Sequence, residues 1–142
     1  MVADNNYEIN GYEYKTDGEG RIVSAEGKLH LKEHSGRQNI KDNKEVVGEG
    51  YQKTTDDRGH LIGDQFGGSN GKENLLPQDA KLNQGEVKNL ENALAKQVDA
   101  GKEVYLKVEP YYEQHSKRPD SYTYTYTING DTNIKFFRNG EH

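Results

Sequence analysis

A chain of 142 residues fits one domain, and a hydrophobic content of 30% with a mean hydropathy of −1.16 leaves it only a thin core. The absence of cysteine excludes a disulfide framework, thiolate zinc sites and cysteine nucleophiles, so any metal must be held by His, Asn, Asp or Glu, a donor set that suits hard cations. A formal net charge of −5 argues against a basic face that gathers nucleic acid over long range, and no stretch is long and apolar enough to span a membrane.

In chain order, residues 7–31 alternate apolar and polar side chains around "TDGEG", which predicts a β-hairpin with Tyr12, Tyr14, Ile22 and Leu31 facing inward. With ten tyrosines and three phenylalanines, aromatic rings are expected to supply much of the buried area while their hydroxyls stay at the rim. Residues 32–56, polar and interrupted by Gly36, Gly48 and Gly50, read as a long irregular connection. "DDRGHLIGDQFGG" follows, and "GGSNGKEN" reads as a flexible glycine-rich turn before "LLPQ". Residues 79–100 predict a helix: Leu82, Val87, Leu90, Leu94 and Val98 form one apolar face, Gly101 ends it, and Gly85 interrupts its first turn. "EVYLKVEPYY" alternates as a strand, and "SYTYTYTINGDTNIKFF" reads as a hairpin turning at Asn129-Gly130. No repeat or linker divides residues 1–142, so the expectation is a single α+β domain.

Three features carry chemistry. "HLKEH", from His30 to His34, formally matches the H-x-x-E-H pattern of an inverted zinc-peptidase helix. Its context is wrong for that role, because Leu29 and Leu31 continue the preceding strand alternation and nothing nearby forms an amphipathic helix; the reading that remains is two solvated histidines. His60, between "DRG" and Leu61-Ile62, has the surroundings of a neutral imidazole aimed at a substrate, although such a histidine taken alone is more often a core residue. The third feature is the block from Glu73 to Glu91, with Asn74, then Asn83 at a helix start, and Glu91 eight residues further on.

"DRGH" with "LNQG" and the Asn74, Asn83, Glu91 spacing resembles the DNA/RNA non-specific endonucleases of the ββα-metal (His-Me finger) class. "DRGHLIGDQFGG", "ENLLPQ" and "KLNQGE" are most similar to the nuclease domains at the C-terminal ends of bacterial polymorphic toxins, including type VII secreted LXG-type toxins. The resemblance implies a ββα-metal core backed by an antiparallel sheet. It further implies that His60 is the general base and Asn83 the direct protein ligand of a largely hydrated Mg²⁺, with Mn²⁺ as the alternative, and that the hydration shell protonates the departing oxygen. Asn83 and Glu91 stand about 12 Å apart along a straight helix, so Glu91 is expected to act through the cation's waters unless the helix bends at Gly85. Arg58 is expected to contact phosphate or hold the strand end, Asp57 to anchor the loop by accepting backbone or arginine hydrogen bonds, and Asn74 to fix the metal loop.

Many relatives carry an upstream arginine that clamps phosphate; Arg37 is the candidate between Arg21 and the motif, and Lys117 and Arg118 are further local cations. The expected activity is cleavage of DNA, with RNA as the alternative substrate, without sequence preference and leaving 5′-phosphate ends. By the same resemblance the domain is the C-terminal part of a longer secreted toxin that acts in the cytoplasm of a recipient cell and is neutralised by an immunity protein. A secreted nutritional nuclease and a non-catalytic phosphate-binding module are the competing readings.

Overall fold

The alternating segments of the chain become strands because each places small or aromatic side chains on one face and charged or hydroxyl-bearing ones on the other. The computed structural model describes residues 3–31 and 53–140. Six strands form one antiparallel sheet in the order β1-β2-β3-β6-β7-β8: β1 (Asn6–Ile9), β2 (Tyr12–Thr16), β3 (Ile22–Lys28), β6 (Val104–Tyr111), β7 (Ser121–Ile128) and β8 (Asp131–Arg138). Between β3 and β6 the chain builds a separate antiparallel pair, β4 (Asp56–His60) and β5 (Leu75–Asp79), followed by a helix. The expected connection over residues 32–56 lies outside the described residues except at its end, where Asp56 already opens β4.

The predicted hairpin around "TDGEG" joins β2 to β3, but a second hairpin precedes it. Asn10 and Gly11, with φ of 55° and 85°, turn the chain between paired Ile9 and Tyr12, as Asn129 and Gly130 do at 48° and 90° between Ile128 and Asp131. Tyr12, Tyr14 and Ile22 face inward as expected, whereas Leu31 is 37% exposed and Leu29 is the buried residue. The reason is length: β3 ends at Lys28, Leu29 N makes a last bond to Val104 O, and Leu31 lies past the rim of the sheet.

The hydroxyls of the buried tyrosines are not at the rim, although Tyr105 and Tyr111 are exposed. Tyr12, Tyr14, Tyr122 and Tyr124 are fully buried on the inner face of the sheet. Three of them bond to the ββα unit: Tyr12 to Phe66 O, Tyr14 to Asn74 Oδ1 at 3.0 Å and Tyr122 to Pro77 O at 3.0 Å. Each ring supplies apolar area to a thin core, and its hydroxyl satisfies an acceptor that the loop or strand above would otherwise leave unmet.

The helix runs without a break through an α-helical start (α1, Ala80–Leu82), a π-helical turn (Asn83–Val87) and a longer α-helix (α2, Lys88–Asp99). Asp79 caps it, its Oδ2 accepting from Leu82 N, and the chain leaves through Ala100 and Gly101. Gly85 lies inside the π turn. Leu82 and Val87 are five residues apart, a spacing that would diverge on an α-helix; the wider turn brings both to the buried face with Leu90 and Leu94.

Candidate active site

β4 carries the "DRGH" block, and β5 pairs with it from Asp56↔Asp79 to His60↔Leu75. Gly59 is needed for that pairing, because a Cβ there would stand 2.7 Å from Cβ of Gln78, which packs across it. At the start of β4, Asp56 forms a buried pair with Arg118, whose Nε and Nη2 donate at 2.8 and 2.9 Å, while Nη2 also donates to Asn139 O. Arg118 is therefore not a phosphate-binding cation, contrary to expectation: it ties β4 to the end of β8. Lys117 is half-buried and donates to Glu19 O at 3.1 Å. Arg37 lies outside the described residues.

His60 ends β4, half-buried, with Nε2 2.7 Å from Oδ1 of Asn70. An amide oxygen only accepts, so Nε2 carries the proton and Nδ1 is left as the basic nitrogen. The loop that brings Asn70 to His60 is close-packed, not the flexible turn expected from its glycines. A Cβ on Gly68 would stand 1.9 Å from Ile62 O, and Ser69 Oγ accepts from Gly71 N at 2.7 Å. Asn74 closes this loop. Its Oδ1 accepts from Ile62 N at 2.9 Å and from the Tyr14 hydroxyl, and its Nδ2 donates to Ile62 O at 2.8 Å and Ser69 O at 2.9 Å. With 0% exposure and both ends of the amide engaged, Asn74 holds the loop, the role expected of it, and cannot touch a substrate as a catalytic group would.

Asp57 reaches the helix instead of an arginine or the backbone. Its Oδ2 accepts from Asn83 Nδ2 at 3.0 Å and from Gln84 Nε2 at 2.8 Å. This arrangement commits the amide nitrogen of Asn83 and leaves Oδ1 as the atom that could hold a cation. Arg58, between Asp57 and Gly59, is exposed. Glu91, two turns along, lies against the loop after His60, where a Cβ on Gly63 would be 2.5 Å from its Oε2. Burial pushes the Glu91 carboxyl up to about 7, against a smaller downward pull from Lys88.

Among the described residues, no three His, Cys, Asp or Glu side chains gather as a metal cage. One neutral amide oxygen with a carboxylate on the same helix fits a hard cation that keeps most of its waters, and not a dehydrated transition metal. The inverted-peptidase pattern has no support at its start: His30 is in neither helix nor strand and stacks on Tyr12 at 5.4 Å, while His34 lies outside the described residues.

Sequence reasoning missed Asn70, Gln84 and Asn139. Asn139 is fully buried; its Oδ1 accepts from Asp79 N, and its Nδ2 donates to Pro77 O and Pro119 O, fixing the junction between β5 and the helix. A side-chain amide four residues before Asn74 was the available signal for Asn70. Nothing local announces Asn139.

The model of the DNA/RNA non-specific endonuclease family matches residues 3–130. The chain is 37% identical over 132 residues to the type VII secretion system protein EssD of Staphylococcus aureus strain USA300, and equally to that of strain NCTC 8325. That match takes in 88% of this chain and 21% of EssD, so the chain spans about a fifth of the curated relatives it matches. In fold it is similar to NucA from Streptococcus agalactiae with magnesium bound, at a TM-score of 0.74 and 19% identity over 99% of this chain and 75% of that one. It is also similar to the Sda1 nuclease with bound zinc, at 0.65 and 15% over 99% and 76%. With β4, β5 and the helix laid across a tyrosine-faced sheet and the family matched over nearly the whole chain, the protein belongs to the DNA/RNA non-specific endonuclease family and has the ββα fold of its nucleases.

Proposed function

We propose that the domain hydrolyses DNA phosphodiesters, and RNA as a secondary substrate, in a divalent-metal-dependent reaction with little sequence preference. The observation that carries this reading is the state of His60: Nε2 is held as a donor by Asn70, so Nδ1 is a base of fixed direction. His60 Nδ1 takes a proton from the attacking water, the new P–O bond forms, and the bond to the 3′ oxygen breaks. The products are a 5′-phosphate and a 3′-hydroxyl. Asn83 Oδ1 would hold Mg²⁺, or Mn²⁺ in its place, with Glu91 reached through water; such a cation would neutralise charge developing on the phosphate, and a water of its hydration shell would supply the leaving-group proton. Asp57 keeps the Asn83 amide in the ligating orientation, and Arg58, exposed beside them, contacts the phosphate. Base and metal ligand address the backbone common to every step, which supports low sequence preference.

The similarity to a fifth of EssD supports a second part of the proposal. The single domain of residues 1–142 is the nuclease tip of a longer secreted toxin, acting in the cytoplasm of a recipient cell and neutralised in the producer by an immunity protein. The net charge of −5 suits a basic partner.

Plasmid DNA and RNA cleavage with Mg²⁺, with EDTA and by His60→Ala tests the catalytic reading. The expected result is metal-dependent cutting that EDTA abolishes and His60→Ala reduces about 10²–10⁴-fold, the range of a positioned base. Cutting at the parent rate by His60→Ala would overturn it.

A further inference from the structure

Two neighbouring amides on the helix end at the same atom: Asn83 Nδ2 and Gln84 Nε2 both donate to Asp57 Oδ2 on β4, at 3.0 and 2.8 Å. Successive side chains on an α-helix leave the axis about 100° apart, so one oxygen on an adjacent strand faces one of them and not its neighbour. Asn83 and Gln84 instead open the π-helical turn Asn83–Val87. A turn closed by an i→i+5 bond spreads one rotation over more residues, which narrows the angle between successive side chains and lets both amides converge. Nothing else about the turn calls for its extra residue. Gly85, inside it, has no atom within 4 Å of where a Cβ would stand and no positive φ, so neither a close approach nor backbone conformation requires it. The core does not need it either, since Leu82 and Val87 would share the buried face of an ordinary α-helix if they were four residues apart. Gln84 is exposed, so its bond adds little to the stability of the fold.

We propose that Gln84 is a positioning residue for the metal ligand, and that the π turn serves to bring it there. With two donors on one oxygen, the Asp57 carboxylate keeps a single direction, and Asn83 Nδ2 stays turned toward it. The reversed amide would set Asn83 Oδ1 against a carboxylate oxygen, acceptor facing acceptor. Oδ1 is thereby presented to the cation. This rests on reading Asn83 as the group that holds it.

The test measures Mn²⁺ binding by electron paramagnetic resonance on the 142-residue chain carrying His60→Ala, so that no catalysis intervenes. Asp57→Ala is expected to weaken binding up to about 100-fold and Gln84→Leu about tenfold, the two ends of the range for losing a partner that orients a metal-binding group. Metal-free Gln84→Leu should melt with the parent, and the substitution should add nothing in the Asp57→Ala background. Deletion of Gly85, which returns Leu82 and Val87 to α-helical spacing, should melt no lower than the parent yet weaken Mn²⁺ binding as much as Gln84→Leu does. If Asn83→Ala weakens binding while Gln84→Leu stays within about twofold of the parent, well short of that range, the proposal fails alone. If Asn83→Ala also leaves binding unchanged, the reading of Asn83 fails with it. Equal weakening by Gln84→Leu in both backgrounds would overturn it too, because the effect would not pass through Asp57. A Gly85 deletion that binds Mn²⁺ like the parent refutes the part assigned to the π turn, and so does one that melts well below it, since the core would then need the extra residue.

Discussion

Asn74→Ala removes the amide that closes the His60 loop. In the folded chain that amide meets four groups, the Tyr14 hydroxyl, Ile62 N, Ile62 O and Ser69 O, three of them through fully buried contacts. A buried polar group stripped of its partner costs about 1–3 kcal/mol, so the unrelaxed ceiling is near 12 kcal/mol. The four share one side chain and are not additive, which brings the expected loss to about 3–5 kcal/mol against a total stability of about 5–15 kcal/mol. For a domain of this size that lowers Tm by roughly 10–15 °C. Urea denaturation and thermal melting followed by circular dichroism measure it, and amide hydrogen exchange at Leu61 and Ile62 shows whether the loop opens before the sheet does. Asn74→Asp is expected to fare no better than alanine: it keeps the acceptor bonds, loses both donors and buries a charge. A loss below about 1 kcal/mol for Asn74→Ala would refute the reasoning, since the loop would then hold its shape without the clasp.

Gly63→Ala should leave stability within about 1 kcal/mol, because the atom it displaces is the free end of Glu91, yet raise the Mg²⁺ concentration for half-maximal cleavage several-fold; an unchanged metal requirement would count against a role for Glu91. Burial opposes ionisation of Asp56, but the hydrogen bonds and charge of Arg118 outweigh it and hold the carboxyl below its usual range. A depressed carboxylate stabilises the fold above its unfolded pKa, and that contribution is lost as pH falls through the folded value. Asp56→Asn is therefore expected to cost about 3–5 kcal/mol at neutral pH and to flatten the acid limb of stability below about pH 4, measured by urea titration at stepped pH; an acid limb as steep as the parent's would show that the pair contributes nothing there.

The outer strands and the helix were legible because their periods are short. Asn129-Gly130 interrupts a long β-branched run and announces its hairpin. Asn10-Gly11 is the same dipeptide, but a two-residue turn preserves the phase of an alternating pattern, so "YEINGYEY" reads as one strand. The π turn was half visible: the five-residue gap from Leu82 to Val87 was on the page, while the backbone widening that makes it work belongs to packing. At the site, residue types and spacing indicated His60, Asn83 and Glu91, but not how the side chains meet. Asn70 had no periodic signal, and the contacts of Arg118 with Asp56 and of Asn139 with Asp79 span some sixty residues, a separation across which a sequence carries no pattern. The mistaken flexibility of "GGSNGKEN" has a physical origin: the same glycines serve a loose linker or a tightly apposed loop, and only the neighbour at 1.9 Å distinguishes them.

The loop beside His60 is closed by an amide and braced by tyrosine hydroxyls, with no cysteine in the chain. Its assembly is therefore indifferent to the redox potential of its surroundings. The loop needs no oxidant to form and no protection from reductants to persist.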